Sequence, residues 1–213
     1  MRIFRLPERP RAFLFDLDST LYTNPGYAAF QNDVLVRELA RSRGADEAHV
    51  LAEVEAARAR ASERTGMATS LGNAMVELGV DIATSVAWRK RLIRPEEWLK
   101  ADARLERALS QLAERFDLAV VTNNPGSVGR ASLRTLGVER CFRAVVGLDD
   151  TMVSKPAREP FELAARLLGA AIRDCIAVGD RFDVDLAVPL ELGMGAVLVD
   201  GAEDVLLLPS LFI

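Results

Sequence analysis

Five short runs of nearly unbroken apolarity, each closed by polar or turn-forming residues, constrain this chain most: AFLFDLD (12–18), DLAVVTN (117–123), RAVVGLD (143–149), CIAVGD (175–180) and AVLVD (196–200). A strand with one wet face alternates apolar and polar residues, whereas a strand covered on both faces has no need to. Runs of this kind therefore predict a sheet buried on both sides. Helical patterns separate the later runs, at 102–115, 127–137, 159–169 and 185–192. Strand, helix, strand, helix is the order of a doubly wound α/β domain with a parallel, Rossmann-like sheet. Within it, Ser127 is the expected N-cap of one helix and Gly137 its stop.

The interval between the first two runs breaks this rhythm. Residues 22 to about 100 hold no strand-like run, while DEAHVLAEVEAARARASER sets Val50, Leu51, Val54, Ala57 and Ala61 along one side of a helix. A βαβ crossover needs only about a dozen residues. The excess is read as an inserted all-helical domain at 23–99, with 1–22 and 100–213 forming the α/β core. A chain of 213 residues suits one core plus an insertion, because single cores stop growing at roughly 250–300 residues. The apolar tail VLLLPSLFI is expected to pack on that core.

Composition narrows the partners. A formal net charge of −4 gives no electrostatic reason to expect a nucleic acid polymer or an anionic membrane. The opening MRIFRLPERP interrupts with arginine and proline the apolar stretch a signal peptide requires. No run approaches the ~20 apolar residues that span a bilayer, so a cytoplasmic location is expected. Cys141 and Cys175 lie in apolar surroundings and read as reduced, buried thiols. His49, the only histidine, sits in a charged helical stretch and is expected to face solvent; a His-rich metal centre is excluded. Of 27 cationic residues only Lys90, Lys100 and Lys155 are lysine, which draws attention to any lysine near a strand end.

Ligands of open α/β sheets collect at the carboxyl ends of the strands. Asp16, Asp18 and Thr20 follow the first run, Thr122 and Asn123 end the second, Ser154, Lys155 and Pro156 lie in the loop after the third, and Asp180, Asp183 and Asp185 follow the fourth. Carboxylates converging from two strands, Asp16 and Asp180, suit Mg²⁺, which prefers hard oxygen ligands. Such an ion offsets carboxylate repulsion and the charge of an incoming phosphate. Thr122, Asn123 and Lys155 are placed to hold phosphoryl oxygens. Taken singly, each group also fits a plain turn or an acid-rich helix start; it is their joint occurrence that points to a site.

The order D-x-D-x-T (16–20), a strand ending in Thr122 and Asn123, then Lys155-Pro156, then Gly179-Asp180 followed by Asp185, resembles the four motifs of the haloacid dehalogenase superfamily. The resemblance spans the whole chain, and the insert after the first motif is similar to that superfamily's helical cap domain. It implies that Asp16 is the nucleophile, forming an aspartyl-phosphate, and that Asp18 is the general acid and base. It also implies Mg²⁺ on Asp16, the backbone carbonyl of Asp18, and Asp180, supported by Asp185 or alternatively Asp183. Thr122, the Asn123 backbone and Lys155 would fix the phosphoryl group, and Thr20 and Tyr22 fall in the loop that helps select substrate.

The second aspartate discriminates further. Dehalogenases of the superfamily lack it, because a departing halide needs no proton, so Asp18 implies phosphate-ester chemistry. The reaction implied is Mg²⁺-dependent hydrolysis of a small phosphorylated metabolite, nucleotidase-like or phosphoglycolate phosphatase-like. A phosphomutase is the alternative within the superfamily, although its motif continues with Gly where Ser19 stands. A non-hydrolytic phospho-aspartate signalling or binding module is the alternative of a different class. Among the aromatic residues Trp88, Trp98, Tyr22, Tyr27 and Phe30, Tyr22 is the candidate for stacking on a substrate and the others read as packing. WRKRLIRP (88–95) reads as a charged face near the hinge, with steering of an anionic substrate as the alternative.

Overall fold

The computed structural model describes residues 1–66 and 69–213. Its sheet has six strands in the order β1-β6-β5-β2-β3-β4, where β1 is Arg2–Arg5, β2 Ala12–Phe15, β3 Asp117–Val121, β4 Ala144–Val146, β5 Cys175–Gly179 and β6 Gly195–Leu198. All pairings are parallel except β1 with β6. The five apolar runs supply β2 to β6. The edge strand β1 was not expected: its four residues are mostly exposed and carry no run of apolarity, and it is defined by pairing with β6.

Burial on both faces explains the unbroken apolarity. Along β2, Phe13 and Phe15 enter one hydrophobic cluster while Ala12 and Leu14 enter the other. The first cluster takes Leu105, Leu109 and Leu112 from α5 (Ala103–Ala113) and Val128, Leu133 and Leu136 from α6 (Gly126–Leu136). The second takes Phe161, Ala164 and Ala165 from α8 (Glu159–Leu167), with Val188 and Leu190 of α9 (Ala187–Glu191) against it. Fully burying a side chain such as Phe13 contributes about 1.5–3 kcal/mol. The short helices α10 (Ala202–Val205) and α11 (Leu208–Phe212) close the chain on the core, where Val205 and Leu208 are buried and Phe212 meets Phe13 edge-on.

Helices α1 (Pro25–Arg43), α2 (Glu47–Thr65), α3 (Leu71–Glu77) and α4 (Ile82–Leu92) occupy the interval between β2 and β3. Each starts on a capping side chain that accepts a backbone N–H: Asn24, Asp46, Ser70 and Asp81. They have a cluster of their own, built on Leu35, Leu39, Val50, Val54, Leu71 and Met75. Leu51, expected on the inner face of α2, is exposed, whereas Val50, Val54, Ala57 and Ala61 are buried. Entry to and exit from the insert are tied together, since Asn24 Nδ2 donates to the Trp98 carbonyl at 2.9 Å and Trp98 stacks on Tyr27 and Phe30.

Other local expectations divide. Gly137 ends α6 at φ 79°, its N–H given to carbonyls of the last turn. The helix, however, begins at Gly126 after Pro125, so Ser127 is an exposed residue of its first turn and not its cap. Cys141 and Cys175 are buried and unpaired, and His49 is exposed beside Glu53. No helix among the described residues is long and apolar enough to cross a membrane.

Candidate active site

The chain runs from β2 outward to β3 and β4, then returns to the other side of β2 for β5 and β6. The carboxyl end of β2 is therefore the point where the connections diverge, which opens a crevice there. Asp16 leaves the strand into this crevice, its backbone N–H still held by Val178 of β5 at 2.8 Å. Ser19 adopts φ 62°, a left-handed turn that brings Thr20 back so that its hydroxyl donates to Asp16 Oδ2 at 3.2 Å.

Lys155 arrives from the loop following α7 (Leu148–Thr151) and is 1% exposed. Its backbone is fixed by Asn123, whose side chain accepts from the Lys155 N–H at 2.7 Å and donates to the Lys155 carbonyl at 3.3 Å. The ammonium donates to Asp16 Oδ1 at 2.5 Å and to Asp185 Oδ1 at 2.7 Å. Burial works against the charged lysine, but the two carboxylates outweigh it and hold the pKa above the ordinary value.

Asp185 belongs to a π-helical turn, Phe182–Leu186, and its other oxygen accepts the Arg181 N–H at 3.1 Å. It lies tight against the end of β5: a Cβ on Gly179 would stand 2.4 Å from the Asp185 Cβ, so only glycine fits. Asp16, Asp180 and Asp185 each bring a carboxylate oxygen within 4.8 Å of the others. Burial, and then the neighbouring Asp16 and Asp185, push the Asp180 carboxyl up to about 7. The three carboxylates, gathered around the Lys155 ammonium and near Arg181, offer the hard oxygens that Mg²⁺ selects. The residues present thus fit a divalent cation. Asp183 is half-buried and outside this cluster, so of the two alternatives it is Asp185 that stands beside Asp16 and Asp180.

Asp18 faces away from Lys155. Its Oδ1 accepts from the Tyr22 hydroxyl and from Gln31 Nε2 at 2.7 Å, and its Oδ2 accepts from Asn124 Nδ2 at 3.0 Å. Tyr22 is buried with its ring tilted against Tyr27, so it presents no free face for stacking on a substrate, which corrects that expectation. Burial first, and then the charge of Asp18, push the Tyr22 phenol well above its ordinary value and keep it a donor. Thr20 is likewise fully buried on Asp16 and does not reach the cavity. Thr122 is buried as well; its hydroxyl accepts the Asn124 N–H at 3.1 Å.

Gln31, Asn124 and Arg89 were not singled out in the sequence, yet they complete this network. Asn124 Nδ2 also donates to Gln31 Oε1 at 2.8 Å, and Arg89 Nη1 donates to Asn124 Oδ1 at 2.9 Å. The stretch 88–95 is consequently not a uniform charged face: Arg89 turns inward, while Lys90 pairs with Asp149 and Arg91 with Glu38. A signal existed. Gln31 and Arg89 interrupt the buried stripes Tyr27-Gln31-Leu35 of α1 and Ser85-Val86-Arg89 of α4. Polar groups on a helix's apolar face need partners.

Asp18, Asn123, Asn124 and Asp180 line a cavity of about 250 Å³ between the sheet end and the insert, whose far wall includes Asn32, Arg58, Ser70 and Arg89. Asp16, Lys155 and Asp185 are buried beside it. The arrangement offers a carboxylate pinned by an ammonium and a hydroxyl, a second carboxylate opening on a small polar cavity, and a cluster of oxygens for a cation.

The chain is similar to several known proteins. A 5-amino-6-(5-phospho-D-ribitylamino)uracil phosphatase of Escherichia coli (strain K12), YigB, is 28% identical over 217 residues, covering 92% of this chain and 86% of that protein. A phosphoglycolate phosphatase of Pectobacterium atrosepticum is 29% identical over 200 residues, covering 83% of this chain and 75% of that one. The crystal structure of a HAD phosphatase from Thermococcus onnurineus superposes with a TM-score of 0.60 at 20% identity, over 89% of this chain and 86% of the other, which speaks to the fold. The family model described as haloacid dehalogenase-like hydrolase matches residues 10–193, and the chain belongs to that family.

Proposed function

We propose that this chain, a phosphoric monoester hydrolase, is a Mg²⁺-dependent phosphatase that cleaves a small phosphorylated metabolite through an aspartyl-phosphate on Asp16. The observation that carries the reading is the division of labour between two carboxylates at one strand end. Asp16 is held by Thr20 and Lys155, while Asp18 is turned toward the cavity and held by three donors. A nucleophile must be fixed and charged, and an acid must reach the leaving oxygen.

In this reading Asp16 attacks phosphorus, Asp18 delivers a proton to the departing oxygen, and Asp18 then takes a proton from the water that hydrolyses the acyl phosphate. Lys155 orients Asp16 through its ammonium, and Thr122 and the Asn123 backbone support the transferred oxygens. Asp16, Asp180 and Asp185 would hold the cation, with the Asp18 carbonyl as a further donor. When bound, Mg²⁺ supplies positive charge that lets an anionic carboxylate approach an anionic phosphate. Residues 23–99 serve as the cap that covers the cavity and excludes bulk water during turnover. The phosphatase names carried by the relatives support the reaction class.

The test is free-phosphate release from a panel of phosphate monoesters, with Mg²⁺ and with chelator, by the wild type and Asp16→Asn. Chelator-sensitive release that disappears in the variant is expected. Undiminished release by Asp16→Asn contradicts the reading.

A further inference from the structure

Three arginines face the cavity with no carboxylate in direct contact. Arg58 on α2 and Arg89 on α4 come from the insert, and Arg181 follows β5. Among the described residues none of the three forms an ion pair, in contrast to Arg41, Arg43, Arg91 and Arg104, each of which meets a glutamate. Arg89 is buried, and among the described residues it donates to the neutral Ser85 Oγ at 3.3 Å and Asn124 Oδ1 at 2.9 Å. Arg58 donates to Asn32 Oδ1 at 3.2 Å, and its buried Nε has no hydrogen-bond partner among the described residues. Burial, and then the nearby Arg181, disfavour the Arg58 charge, and Glu55 offsets them only in part.

Guanidiniums remain charged in proteins, so a buried, unpaired one is costly and two that repel each other are more so. The cavity's own carboxylates relieve this in part: Asp18 favours the Arg89 charge, and Arg181 lies near Asp180 and Asp185. Neither carboxylate that lines the cavity forms a direct ion pair with an arginine, and Asp18 already accepts from Tyr22, Gln31 and Asn124. An anion from outside would satisfy the orphaned Arg58 Nε and compensate all three charges.

We infer that Arg58, Arg89 and Arg181 recognise a second anionic group, a carboxylate, carried by the leaving group of the substrate. This inference rests on the phosphatase reading above. The transferred phosphoryl group has its own partners at Asp16, Lys155 and the strand ends, whereas Arg58 and Arg89 belong to the insert, where the leaving group must lie. The cavity, about 250 Å³ and partly open to solvent, must take both the phosphoryl group and this second group.

The experiment uses size-matched esters that differ in the charge of the leaving group: phosphoglycolate against 2-hydroxyethyl phosphate, and 3-phosphoglycerate against glycerol 3-phosphate. For the full-length enzyme with Mg²⁺, kcat/KM is expected to favour the anionic member of each pair by at least about tenfold, as one charge-assisted contact provides. Arg58→Gln and Arg181→Gln should each shrink that ratio. Arg89→Gln should shrink it most, and circular dichroism checks that this buried variant folds. Hydrolysis of both members at equal kcat/KM, or a preference that survives the rim substitutions Arg58→Gln and Arg181→Gln, overturns the inference while leaving the phosphatase reading intact. Phosphate release from none of the esters overturns both.

Discussion

Replacing Lys155 by methionine removes one positive charge from a buried site while keeping nearly the same volume. Nζ lies 2.5 Å from Asp16 and 2.7 Å from Asp185, and the three residues are 1%, 6% and 2% exposed. With the ammonium gone, Asp16, Asp180 and Asp185 face one another with no counter-charge from Lys155. Removing one partner of a buried pair costs about 3–5 kcal/mol. For a chain of this size each kcal/mol lowers Tm by about 2–4 °C, so a drop of about 6–20 °C is expected at neutral pH. Two controls identify the cause. Mg²⁺ should raise Tm more in Lys155→Met than in the wild type, because the ion then replaces the lost ammonium as a neutralising charge. The deficit should also narrow as the pH falls, since carboxyls whose folded pKa is raised bind protons preferentially in the folded state and gain stability from acid. Scanning calorimetry with Mg²⁺ and with chelator measures all three. A Tm within about 2 °C of the wild type, indifferent to Mg²⁺, would refute the claim that Lys155 is the counter-ion of this cluster.

Three further outcomes are expected. With p-nitrophenyl phosphate, whose leaving group needs little protonation, Asp18→Asn should release roughly one nitrophenolate per enzyme in a burst and then turn over ~10²–10⁴-fold more slowly; rapid-quench kinetics reads this, and a wild-type steady state counts against Asp18. Gly179→Ala drives a methyl group to 2.4 Å from the Asp185 Cβ, costing about 1–3 kcal/mol by overpacking; Tm and the Mg²⁺-induced shift should both fall, and an unchanged shift would place Asp185 outside the cation site. Within the insert, Arg41 and then Arg91 hold the Glu38 carboxyl below its ordinary 4.5, so its stabilisation is present above that value and is lost as the pH falls through the lower folded pKa. The Tm gap between the wild type and Glu38→Gln should therefore be widest near neutrality and close in acid, and a gap that widens in acid contradicts the sign.

The strands and the strand-end groups were legible because their signals are local. Two-sided burial leaves its mark on each run separately, and Asp16, Thr122 and Asp180 each follow a strand directly, so the topology alone brings them to one crevice. The edge strand β1 was invisible because its only warrant is its pairing with β6. The wall of the cavity was illegible for a similar reason. Gln31, Arg58 and Arg89 lie on three different helices, and only the packing of the insert against the core brings them toward Asp18 and Asn124. Tyr22 shows the limit of reading a residue by type: an aromatic ring beside a catalytic loop suggests stacking, but its hydroxyl is committed to Asp18 and its ring to Tyr27.

The most direct test of the central claim is to catch the covalent intermediate. Enzyme turning over a good ester with Mg²⁺ is quenched in acid, digested and mapped by mass spectrometry. A phosphoryl group on the peptide carrying Asp16, localised to that side chain and missing from Asp16→Asn, is expected. Active enzyme whose Asp16 never carries phosphate, or that carries it on another residue, would contradict the account.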